Sequence, residues 1–151
     1  MFKHGRVAAA VFALIAVAAP ALAQPRTTDQ AIDALLGDHA PYRAAFVAVQ
    51  RAVGAHDAGA LAAWVGYPLR VKVHGRARTV RTPAAFVADY DAIVTPAIAR
   101  AVTAQKYQAL FVNAKGVMFG SGQLWLNGIC ADTACKAFEV RIVALQSAPR
   151  D

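Results

Sequence analysis

Apolar residues recur along this chain with two different periods. In the first part they come every three or four positions, the spacing of one helix face, and later they alternate with polar residues as on a half-buried strand. Thr27 or Thr28 can cap a short helix through Leu36, with Ile32, Leu35 and Leu36 on one side and Gly37 as its stop. Pro41 suits a first helical turn. Tyr42, Phe46, Val49 and Val53 follow at steps of four, three and four, one stripe that ends at Gly54. Asp57 can cap a third helix carrying Leu61, Trp64 and Val65, closed by Gly66.

The period then changes. Leu69, Val71 and Val73 alternate with Arg70, Lys72 and His74, which predicts a strand with one buried face. His74-Gly75-Arg76 makes the turn, and Ala77 to Arg81 returns as a second strand. Thr82-Pro83 and Thr95-Pro96 are two helix starts of the same form, Thr as cap and Pro in the first helical position; the first carries Phe86, Tyr90 and Ile93. Leu110-Phe111-Val112, Val117 to Leu126 and Phe138 to Leu145 read as three strands, joined by Asn113-Ala114-Lys115-Gly116 and by a loop holding both cysteines. Helices, hairpin, helices and then a meander predict an α+β domain in which a curved antiparallel sheet wraps the N-terminal helices.

The N-terminus fits neither period. Lys3, His4 and Arg6 lead into an uninterrupted apolar run from Val7 to Ala19, stopped by Pro20 and followed by Ala21-Leu22-Ala23. This is the form of a secretory signal peptide over residues 1–23, cleaved before Gln24. The run is shorter than the roughly 20 residues that span a bilayer, and Gln24 in place of Cys argues against a lipoprotein. The expectation is a periplasmic or secreted protein with no transmembrane anchor, a single domain over residues 24–151.

Composition narrows the reading further. The 151 residues are 58% hydrophobic, with 16 Lys and Arg against 9 Asp and Glu; Lys3 and Arg6 leave with the leader, so the remainder stays basic. A chain of this size can build one core without metal or many disulfides. Cys130 and Cys135 in an oxidising compartment predict a disulfide that staples a loop. Their C-x4-C spacing is not that of a C-x-x-C redox motif or a zinc site.

With that element order, the chain resembles the nuclear-transport-factor-2-like superfamily of cystatin-like α+β cones. The resemblance covers residues 27 to 146. Its local strings are Trp64-Val65-Gly66-Tyr67-Pro68-Leu69-Arg70-Val71, Asp89-Tyr90-Asp91-Ala92-Ile93-Val94-Thr95-Pro96, and Leu110-Phe111-Val112-Asn113 with Gly116-Val117-Met118-Phe119-Gly120. They look like those of small exported bacterial members whose function is not established. The resemblance implies a pocket at the open end of a cone, used by members for isomerase or dehydratase chemistry or for binding, and a fold alone does not choose between these.

An enzyme of that kind needs a carboxylate or His in an apolar pocket and a hydrogen-bond donor for an oxyanion. The candidates are Asp89, Asp91 and Glu139 as base, with Tyr67 or Tyr90 as donor. Asp89 and Asp91 are two apart on a helix and point to different sides, flanking the Phe86, Tyr90 and Ile93 stripe. Glu139, the sole glutamate, lies on the last strand beside Arg141 and Val143, where an ion pair is its ordinary role. Trp125 is either core or a ligand platform. Ser121 lacks the G-x-S-x-G context. His39, His56 and His74 fit no metal signature, and no cofactor or metal is expected.

Charge is the most distinctive feature. No acid occurs between Asp57 and Asp89, while Arg70, Lys72, His74, Arg76, Arg78 and Arg81 crowd one hairpin. They form either a solvated strand face that discourages edge pairing or a docking surface for something acidic. Nucleic acid is not expected, since the hairpin lacks interleaved aromatics for base stacking. The role this pattern favours is binding: of a partner protein or acidic envelope component through the hairpin, or of a small apolar ligand in the cone. A pocket enzyme and a structural envelope protein are the alternatives, and a homodimer through the outer sheet face near Met118 and Trp125 is left open.

Overall fold

The computed structural model describes residues 25–146. The expected leader, residues 1–23, and its cleavage point lie outside them. Among the described residues, six helices and six strands run in the order α1 (Thr28–Leu35), α2 (His39–Gly54), α3 (Ala58–Ala62), β1 (Leu69–Val73), β2 (Arg76–Val80), α4 (Pro83–Ala88), α5 (Tyr90–Ile93), α6 (Pro96–Ala104), a 3-10 turn at Tyr107–Ala109, β3 (Phe111–Asn113), β4 (Gly116–Phe119), β5 (Leu124–Cys130) and β6 (Phe138–Leu145). The class is α+β, with a two-stranded antiparallel ribbon β1–β2 and a four-stranded antiparallel sheet in the order β3–β4–β5–β6.

Helix starts follow from their caps. Thr27 and Gln30 form a reciprocal capping box at α1, and the side chains of Asp38, Asp57, Thr82 and Thr95 accept backbone N–H bonds at the starts of α2, α3, α4 and α6. Because Asp38 caps α2, that helix begins ahead of Pro41. The expected stripe on α2 is buried: Tyr42, Phe46, Val49 and Val53 lie in the core with Ala45 and Ala52. Phe46 stacks on Phe119 with ring centroids 5.2 Å apart, and its edge meets Tyr107 at 5.3 Å, so α2 is joined to the sheet and to the turn after α6.

Two elements differ from the periodicity. The expected strand from Val117 to Leu126 is two strands, turned back at Gly120-Ser121-Gly122, where both glycines have positive φ. The meander therefore has four strands, and Ser121 lies on a turn. The expected helix through Phe86, Tyr90 and Ile93 breaks at Asp89 into α4 and α5, yet all three side chains are buried as expected.

A β-bulge sets the last strand. The register passes from Trp125↔Ala144 to Leu126↔Ile142, leaving Val143 extra. Val140, Ile142 and Leu145 thereby all face the core, although strict alternation would turn Leu145 outward. Beyond β6 the chain closes on itself at Trp64-Val65-Gly66: the Ile142 N–H donates to the Trp64 carbonyl at 2.7 Å, and the Gly66 N–H to the Ile142 carbonyl at 2.9 Å. Cys130 and Cys135 form the expected disulfide across the β5–β6 loop. Among the described residues no helix is long and apolar enough to cross a membrane.

Candidate functional site

The β1–β2 ribbon carries the basic residues, and its turn decides how they are displayed. Val73 and Arg76 are paired, so the turn has only two residues, His74 with φ 49° and Gly75 with φ 77°. Positive φ at both central positions defines a type I′ turn, whose twist matches that of the strands it joins. The full register is Leu69↔Val80, Arg70↔Thr79, Val71↔Arg78, Lys72↔Ala77 and Val73↔Arg76. Paired residues share a face. Leu69, Val71 and Val80 are buried on one face, and Arg76 and Arg78 extend that same row toward the tip. Arg70 and Lys72 stand on the other face with Thr79 and Ala77.

The basic residues therefore do not form one ridge. A three-residue turn would have set Arg78 opposite Lys72; the two-residue turn shifts the register by one and divides the cations between two faces. Arg70, Lys72, His74, Arg76, Arg78 and Arg81 are all exposed. Arg78 meets an acid, its Nη1 lying 2.9 Å from Oδ2 of Asp89, whose side chain is 24% exposed. Among the described residues, no carboxylate pairs with Arg70, Lys72, Arg76 or Arg81.

Apart from the ribbon, a groove of about 700 Å³ lies between the end of α3 and the β5–β6 loop. Ala63, Gly66, Tyr67, Ile129, Glu139 and Arg141 are on its wall. A Cβ on Gly66 would come within 2.8 Å of Ile129 Cδ1, so glycine permits the close approach of the two walls. Arg141 bridges them, donating to the Ala63 carbonyl and to Glu139 Oε2, each at 2.5 Å. Tyr67 donates its hydroxyl to the Ala62 carbonyl at 3.0 Å, and burial raises its pKa.

The five candidate catalytic residues are thus scattered. Only Tyr67 and Glu139 share the groove, and the Glu139 side chain is 74% exposed and ion-paired. Asp89 is bonded to Arg78, and the exposed Asp91 lies 3.0 Å from His56. Tyr90 is in the core, where its ring meets the His56 and Phe86 rings edge-on, and burial raises its pKa. Trp125 is half-buried on the outer sheet face, in a row with Phe111 and Met118.

Sequence reasoning missed one polar cluster. The Tyr107 hydroxyl donates to Asp29 Oδ1 at 2.7 Å, Arg43 donates to Asp29 Oδ2 at 2.5 Å, and the same guanidinium lies 4.4 Å from the Tyr107 ring centre. The Tyr107 hydrogen bond and then Arg43 hold Asp29 below the usual carboxylate range. Burial and the Asp29 bond push Tyr107 well above the usual phenol value. His39 Nδ1 lies 2.8 Å from Asp33, which raises the imidazole pKa. These residues join α1, α2 and the 3-10 turn, which no local spacing brings together. Comparison with known family models, curated proteins and solved structures finds no match.

Proposed function

We propose that this chain is an exported small binding protein of the nuclear-transport-factor-2-like type, which engages an acidic partner through the β1–β2 ribbon. The single observation that carries this reading is the exposed, acid-free charge of Arg70, Lys72, Arg76 and Arg81 on a ribbon that projects two faces. Arg78 and Asp89 supply an internal example of the contact that an incoming carboxylate would make. Support for the family reading is the order helices, hairpin, helices, meander, together with the bulge in β6, a device that bends strands in curved sheets. The Cys130–Cys135 bond is compatible with export.

Binding is favoured over the enzyme reading because none of the acids at Asp89, Asp91 and Glu139 is both desolvated and free of a basic partner. The groove beside Tyr67 and Ile129 favours the second mode of binding, of a small apolar ligand.

Titration with a polyaspartate probe tests the first mode. The native chain is expected to bind at low salt, and a variant with Arg70, Lys72 and Arg76 changed to Glu to bind at least about tenfold more weakly, as loss and reversal of several rim charges would produce. Equal binding by both forms would remove the ribbon from the mechanism.

A further inference from the structure

β2 leaves one edge of the ribbon unpaired. In a two-residue hairpin the residues flanking the turn form a hydrogen-bonded pair, here Val73 and Arg76, and along an antiparallel ladder such pairs alternate. Val71 with Arg78 and Leu69 with Val80 are then the other bonded pairs. Ala77 and Thr79 fall between them, so their N–H and C=O groups point away from β1. Both residues are exposed, and no described residue bonds to those four groups. The other strand is covered: β1 lies against β6 and α5, whereas the main neighbour of β2 is β1 itself.

Charge on an edge strand ordinarily guards against pairing. Here the charge has a single sign, and that makes the guard selective. A second copy of β2 laid on this edge would bring arginine against arginine. A strand with carboxylates at alternate positions would meet Arg76 and Arg78 on one face, and small Ala77 and Thr79 leave room on the other. Asp89 already sets a carboxylate against Arg78 from within the chain.

We propose that the free edge of β2 is a strand-addition site for an extended acidic segment of a partner protein, in which Ala77 and Thr79 supply the backbone bonds and Arg76 and Arg78 the selection for carboxylates. Main-chain bonds give affinity in this mode of recognition, and alternate side chains give specificity. The proposal rests on the reading of the ribbon as a recognition surface, and adds the mode of binding and the class of sequence bound.

The test uses the purified chain and three probes: a short blocked peptide of alternating Asp and Val, the same peptide N-methylated at alternate residues, and polyaspartate of equal charge. Amide hydrogen exchange is followed by NMR. With the alternating peptide, the Ala77 and Thr79 amides are expected to exchange at least about tenfold more slowly, and the N-methylated peptide to bind at least about tenfold more weakly. Thr79→Pro, which removes an outward N–H that an edge strand can spare, is expected to abolish the protection at Ala77 while polyaspartate binding persists.

If the N-methylated peptide and polyaspartate bind as well as the alternating peptide and both amides stay unprotected, strand addition is wrong and the charge-based reading survives. Protection that appears without peptide and grows with protein concentration would mean that the edge pairs with a second copy, which also overturns the proposal. Failure of every anionic probe to bind would sink the proposal and the function it rests on.

Discussion

Gly116 has no room for a side chain. Its φ is +124°, and an added Cβ would lie 2.1 Å from the Leu126 carbonyl oxygen, so alanine must strain the backbone and push β4 from β5. Gly116→Ala is expected to lower the unfolding free energy by about 2 kcal/mol or more, read as a lower urea midpoint at unchanged slope. Gly75 makes the contrast. It also has positive φ, but nothing lies within 4 Å of its would-be Cβ, so Gly75→Ala is expected to cost only about 1 kcal/mol. At the same scale, Asp33 raises the pKa of His39. A raised folded-state value means that this contact stabilises fully below the unfolded imidazole value and is lost as pH rises through the folded one. Asp29 has the opposite sign: its lowered pKa stabilises above the usual carboxylate value and is lost as pH falls. An NMR titration is expected to place His39 above about 6.5, the ordinary imidazole value, and Asp33→Asn to lower it.

The disulfide acts at the scale of one loop. Cys130 and Cys135 are five positions apart, so the chain entropy that their bond removes from the unfolded state is small. Reduction is expected to cost roughly 2 kcal/mol, and the exchange protection of β5 and β6 near the loop should fall before that of α2. Denaturation with and without reductant, read by amide exchange, checks both statements. The elements also show what local signals carry. Thr82-Pro83 and Thr95-Pro96 mark helix starts in the sequence because cap and proline act on their own backbone. The turn at Gly120-Ser121-Gly122 is equally local: with Gln123 these small residues separate Phe119 from Leu124, a turn signal that a single strand from Val117 to Leu126 passes over. His74-Gly75 shows how little separates two outcomes: read as a three-residue turn it gathers the cations on one face, and as a two-residue turn it divides them.

For the whole molecule, the excess of Lys and Arg over acids makes long-range attraction to anions general, while the ribbon makes it directional. Polyanion binding is expected to weaken as salt rises through the range where the Debye length falls from about 30 Å at 0.01 M to about 10 Å at 0.1 M. Isothermal titration at both salt concentrations checks it, and unchanged affinity would mean that charge does not drive the contact.

What the sequence determined by itself is what neighbours in the chain control: the caps, the buried stripes of α2 and of Phe86, Tyr90 and Ile93, the alternation of β1, and a cysteine pair close enough to bond. The tertiary structure alone decided which side chains meet across the fold. Asp29 reaches Tyr107 and Arg43, Arg78 reaches Asp89, Tyr67 and Glu139 share a groove, and Leu145 turns inward. The physical reason is that periodicity fixes a residue's face only relative to its own strand or helix. A single bulge or a one-residue change of turn resets that face, and the partner across it is chosen by packing.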